Sequence, residues 1–105
     1  MALVKVKWTS FAVIQLRTIY QYYKDSADTT VARRIKQHII SRANILKAHP
    51  QAGQIEETLA VLKQGHRYLV EGHVKLVYKK TGNTVYITDV FDTRQNPVKL
   101  KKRNK

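Results

Sequence analysis

Cysteine is absent from the 105 residues. That excludes a disulfide framework, a thiolate nucleophile and a cysteine-based zinc site. No apolar run approaches the roughly 20 residues that span a bilayer. Met1–Lys7 has no apolar core of the secretion-signal type. A soluble, cytoplasmic protein with no membrane partner is the expectation. The chain also lacks a glycine-rich phosphate loop, a Ser/His/Asp order and a carboxylate pair. Four histidines, at 38, 49, 66 and 73, have no second histidine or carboxylate at helical ligand spacing, so neither metal nor cofactor is expected. Acidic residues are scarce: seven Asp and Glu stand against twenty Lys and Arg.

What is present is positive charge. The net value is +13 with an isoelectric point near 10.2, an excess that points to a polyanionic or acidic partner. One modest core suits this length, since a chain of this size buries about 65% of the surface it exposes when unfolded. A single domain over residues 1–98 and a basic tail over 99–105 are expected.

Leu3–Trp8 alternates apolar and basic residues and reads as a short strand. Thr9-Ser10 offers an N-cap, after which Ala12, Leu16, Ile19, Tyr20 and Tyr23 form a helical stripe. Lys24–Asp28 breaks it. A second stripe follows in Ala32, Ile35, Ile39, Ala43 and Leu46, so the two helices read as an antiparallel hairpin. His49-Pro50-Gln51-Ala52-Gly53 ends the helical half, and Gln54–Gln64 reads as a loop with local structure. Strands are predicted at His66–Val70, Val74–Lys79 and Thr84–Phe91, joined by Glu71-Gly72-His73 and Thr81-Gly82-Asn83. The order β-α-α-β-β-β indicates an α+β, two-layer domain. Its helix hairpin packs on one face of a mainly antiparallel sheet and leaves the other face partly open.

Parity sets Val74, Leu76 and Tyr78 apart from Lys75 and Lys79. Placing the apolar sets under the helices sends Arg67 and Lys75 to the open face, with Arg94 just beyond the last strand. Cations gathered there would bind phosphates and stabilise charge in phosphoryl transfer. The basic tail residues Lys99, Lys101, Lys102 and Arg103 would add to target binding. His66 and His73 flank the first β-hairpin, where a general-base role is chemically open. Tyr20, Tyr22 and Tyr23 read as a helix–sheet contact.

Taken in order, Val6-Lys7-Trp8-Thr9, Ala12, Leu16, Tyr20, Tyr23, Pro50-x-x-Gly53, Arg67–Tyr78 and Val90–Pro97 resemble the RelE/ParE superfamily of toxins. The resemblance covers nearly all of residues 3–100. It implies a cytoplasmic, growth-inhibiting toxin of a type II toxin–antitoxin module, of the plasmid-stabilising kind, held in a hetero-oligomer by a cognate antitoxin. An acidic antitoxin would match the +13 charge.

Two targets follow from the family. RelE-like members cut mRNA on the ribosome with basic groups on the open sheet face and a C-terminal tyrosine. ParE-like members bind DNA gyrase and trap its cleavage complex without cutting RNA. Arg67, Lys75 and Arg94 match the basic positions of the nucleases. Leu69 stands where a second basic residue is expected, and Val98, Lys99 and Leu100 stand where the tyrosine belongs. These departures, the long hairpin and the Pro-x-x-Gly turn favour the ParE-like, non-nucleolytic reading. The alternatives are a ribosome-dependent endoribonuclease using Arg67, Lys75 and Arg94, and a non-toxic basic nucleic-acid-binding domain.

Overall fold

The computed structural model describes residues 3–93. Its elements run β1 (Lys5–Trp8), α1 (Ser10–Ser26), α2 (Thr29–Asn44), a 3-10 turn at Ile45–Lys47, β2 (Gln54–Ile55), a 3-10 segment at Glu57–Leu62, β3 (Arg67–Glu71), β4 (Val74–Thr81) and β5 (Thr84–Asp92). Side-chain capping starts both helices where the sequence changes period. The Ala12 amide donates to Thr9 Oγ1 at 3.1 Å and the Val31 amide to Asp28 Oδ1 at 2.8 Å. Each bond satisfies an amide that the first helical turn leaves without a partner.

The five strands are ordered β1-β5-β4-β3-β2. β1 pairs parallel to β5, and every other pairing is antiparallel. The parallel pair follows from the crossover, because the α1–α2 hairpin carries the chain from one edge of the sheet back over its face. Gly72 and Gly82 open the two hairpin turns with φ of +60°, a backbone region that costs glycine little. The two-layer α+β expectation, with its helix hairpin on one sheet face, is what the chain adopts.

The main core lies between that face and the helices. Ala12 and Leu16 of α1, and Ile39 and Ala43 of α2, meet Leu69, Leu76, Tyr78, Val85, Ile87 and Val90. Alanine at Ala12, Ala32 and Ala43 is fully buried; its short side chain lets the helices approach each other and the sheet closely. Of the tyrosine cluster, Tyr22 and Tyr23 both line a cleft with Val74 between helix and sheet, Tyr23 half-buried and Tyr22 55% exposed. Their rings meet edge-on, with centroids 5.1 Å apart.

The second sheet face is less open than its residues suggest. Leu59, from the 3-10 segment, is buried against Val77 and Phe91, with Leu62 and Tyr68 packed around them. The stretch read as a loop is thus a short edge strand followed by a strap that covers part of this face. A bulge between Val77 and Tyr78 shifts the β4–β5 register. It places both Val90 and Ile87 under the helices although they are an odd number of residues apart.

Candidate functional site

Arg67 and Lys75 do not share a face. The β3–β4 register pairs Arg67 with Tyr78, Leu69 with Leu76 and Glu71 with Val74. Paired residues project to the same side of a sheet, so Arg67 lies with Leu69 and Tyr78 on the helix-covered side. This corrects the expected convergence of Arg67 and Lys75 on an open face. The physical reason is the turn. Only Gly72 and His73 separate the two strands, and a two-residue turn fixes Glu71 opposite Val74, with Leu69 two steps further back. Tyr68 and Val70 then face the other way despite being apolar. Tyr68 packs beneath the strap and Val70 is 48% exposed.

Arg67 serves the scaffold. Its Nη1 donates to the Gly53 carbonyl at 2.9 Å, and the Gly53 amide donates to Tyr78 Oη at 2.9 Å. Gly53 thereby ties the turn after the helices to β3 and β4. A Cβ there would lie 2.6 Å from both Tyr78 Oη and the Tyr68 carbonyl oxygen, which explains why the turn needs glycine at this position. Burial raises the Tyr78 phenol above its ordinary pKa, opposed by the Gly53 amide and the Arg67 charge. The phenol therefore stays protonated, as its bond to the amide and its buried position both allow.

Lys75 does lie on the second face, but it is engaged. Its Nζ sits 2.8 Å from Glu56 Oε2, and the Glu56 side chain is almost wholly buried. The same ammonium stands 4.3 Å from the centroid of the Tyr68 ring, in cation–π range. Tyr68 Oη in turn donates to Gln54 Oε1 at 3.0 Å. Lys75 holds the strap's entry against the sheet. Lys79, on the same face, donates to Gln64 Oε1 at 3.0 Å, a neutral acceptor that leaves its charge uncompensated.

The two histidines considered for proton transfer lie at opposite ends of β3, on the order of 20 Å apart along an extended strand. His73 is exposed in the turn, where its carbonyl accepts from Thr93 N and Oγ1 at 2.8 and 2.9 Å. His66 is 4% exposed, and its Nδ1 has no hydrogen-bond partner among the described residues. Burial lowers its pKa below the ordinary 6.5, and the nearby Lys79 charge lowers it further, while Glu56 pulls the other way. His66 is thus held neutral. Arg94, Lys99, Lys101, Lys102 and Arg103 lie outside the described residues. Among the described residues no group of three or more His, Asp or Glu is placed to hold a metal, and no helix is long and apolar enough to cross a membrane.

Charge is distributed unevenly along the chain. Residues 48–93, which build most of the sheet, carry five basic and five acidic side chains and are neutral. Residues 10–47, the helix hairpin, carry seven basic against two acidic, and both acids, Asp25 and Asp28, sit at the connecting turn. Within that hairpin Arg17, Lys24, Arg33, Arg34, Lys36 and Lys47 are exposed and have no carboxylate partner among the described residues. Among the described residues most of the net positive charge is therefore on the helices rather than on β3 and β4, the strands expected to form the site. Charge counted by segment would have pointed there.

The chain and its fold are similar to known proteins. A family model described as ParE toxin of type II toxin-antitoxin system, parDE, matches residues 6–97. A solved structure described as the chromosomal ParDE TA system from P. aeruginosa superimposes with a TM-score of 0.74 at 22% identity, covering 86% of this chain and 96% of that one. No curated protein matches the sequence significantly. With the family match extending over most of its length, the chain belongs to the ParE toxins of type II toxin–antitoxin systems.

Proposed function

We propose that this chain arrests bacterial growth by acting on DNA gyrase, does not itself cut RNA, and is silenced in the cytoplasm by an acidic cognate antitoxin. The observation that carries the non-nucleolytic part is the separation of Arg67 from Lys75. A nuclease of the related type needs several cations converging on one phosphodiester, because removing a single charge-stabilising donor costs about a hundredfold to a thousandfold in rate. Here Arg67 is on the helix-covered side, bonded to Gly53, and Lys75 is neutralised by Glu56 across the sheet. Family membership supports the gyrase target, as ParE-type relatives act there. The hairpin's unpaired cations support an acidic partner.

Purified protein added to gyrase and relaxed plasmid is the direct test. Loss of supercoiling with accumulation of gyrase-cleaved linear DNA is expected, while mRNA on translating ribosomes stays intact. Codon-specific mRNA cleavage that Lys75→Ala abolishes, with supercoiling unaffected, would establish the nuclease instead. For the antitoxin, the adjacent short reading frame should encode an acidic protein whose co-expression restores growth.

A further inference from the structure

Outside the Leu59–Val77–Phe91 cluster on the second sheet face, a row of side chains crosses three strands. The β1–β5 register pairs Lys7 with Tyr86, and the β4–β5 register pairs Lys79 with the same Tyr86. Val6 and Trp8 pack towards the main core, so Lys7 and its neighbour Lys5 project from the opposite side. Tyr78 is likewise in the core, which turns Lys79 outward. Three adjacent strands therefore present lysine, tyrosine, lysine in line, the two lysine backbones about 10 Å apart at two strand spacings. Lys5 stands beside Lys7 at one strand repeat, about 6.6 Å, opposite Thr84.

Lys5 and Lys7 are exposed, and Lys79 and Tyr86 are half-exposed. None of these lysines has a carboxylate partner among the described residues; Lys79 Nζ meets only the amide oxygen of Gln64. The carboxylate nearest along β5, Asp89, lies beyond the bulge and is fully buried. An aromatic ring on a sheet face, flanked on both sides by uncompensated cations, has a specific chemical complement. A base stacks on the ring while the phosphates before and after it meet the ammonium groups. A duplex is a poor match, since its bases are already stacked and cannot reach a flat face. An acidic peptide is a poor match too, because the residues paired with the ring on both neighbouring strands are lysines rather than apolar side chains that would seat an anchor.

We propose that Lys7, Tyr86 and Lys79 form a binding platform for single-stranded nucleic acid, read through one base face and its flanking phosphates. The platform uses neither the gyrase reading nor the antitoxin, so it stands or falls separately from both. Because no sugar hydroxyl is read, DNA and RNA strands bind alike.

The test is fluorescence anisotropy of the full-length protein with a labelled 12-nucleotide DNA strand over a range of salt concentrations. Lys7→Gln/Lys79→Gln weakens binding and makes the plot of log affinity against log salt shallower by about 1.4, as expected for two single-strand phosphate contacts. Tyr86→Leu weakens it by roughly 5- to 150-fold, the equivalent of one stacked base, and Tyr86→Phe restores it. On the unmodified protein, an abasic strand of equal length loses the same factor, which needs no variant to fold. Several results overturn the platform. One is an equal loss on Arg33→Gln/Arg34→Gln, which would make the binding diffuse. The others are indifference to the base or to Tyr86, duplex bound as tightly as single strand, and a preference for RNA above tenfold.

Discussion

Gly53 shows how one residue without a side chain can organise two elements. Its amide and carbonyl hold Tyr78 and Arg67 respectively, and the space a methyl group would need is filled by the Tyr78 ring and the Tyr68 carbonyl oxygen. Gly53→Ala must displace a fully buried tyrosine, so a loss of about 2–4 kcal/mol is expected, read as a fall in the denaturant midpoint. Arg67→Met, which keeps the stem and removes the fork, loses about 1–2 kcal/mol from the unpaired carbonyl. If Arg67 were a catalytic cation instead, stability would be indifferent to that change. His66 adds a dependence on pH. Its folded pKa is depressed by burial and by Lys79, so the fold favours the neutral ring. The corresponding stability is present above the ordinary value of 6.5 and is lost as pH falls through it. Unfolding midpoints measured across that window should drop on acidification, and His66→Gln should flatten the difference. An unchanged slope in that variant would remove His66 from the account.

Among the elements, the strap at Glu57–Leu62 was the least legible in the sequence. Its leucines, Leu59 and Leu62, stand three apart, one 3-10 turn, but a single turn is too short a pattern to place them on the sheet. Only the exposure that Val77 and Phe91 would otherwise suffer explains the contact. The helices, by contrast, were legible to within a residue or two, because a capping residue, a regular stripe and a breaker agree at each. β3 was located correctly but turned the wrong way. Counting apolar residues favoured Tyr68 and Val70 inward, while the two-residue turn dictated Leu69, and turn geometry prevails since it fixes every pair after it. The site suffered with it, as Arg67 followed its strand. The strap's attachment makes a prediction of its own. Lys75→Ala leaves the buried Glu56 carboxylate without its cation and removes the ammonium from the Tyr68 ring. A loss of about 1–3 kcal/mol is expected, together with faster trypsin cleavage after Lys63, which follows the strap. Glu56→Gln in the same background should recover part of it, because the charge left behind is gone. A double variant no better than Lys75→Ala would mean that the pair does not anchor the strap.

For the whole molecule the decisive feature is where the charge is not. Among the described residues, a neutral sheet half and a hairpin with five net positive charges put most of the excess charge on the helices. Two uncompensated lysines on β1 and six basic residues from Arg94 onwards complete the +13. Such a field steers an acidic partner before any contact forms, and it is screened beyond a Debye length of about 8 Å at physiological salt. Association with the antitoxin should therefore slow sharply between low and high salt while dissociation changes little. The segment 99–105 carries five basic residues and, apart from Leu100, nothing apolar to bury. A chain ending at Val98 is expected to unfold at the same denaturant midpoint as the full chain, yet to bind the antitoxin with a slower, less salt-dependent on-rate. Arg33→Gln/Arg34→Gln should act the same way from the hairpin. If truncation lowers the midpoint, residues 99–105 are part of the folded domain and the boundary at 98 is misplaced. If neither change moves the on-rate, long-range attraction is not what brings the partner in, and the antitoxin need not be acidic.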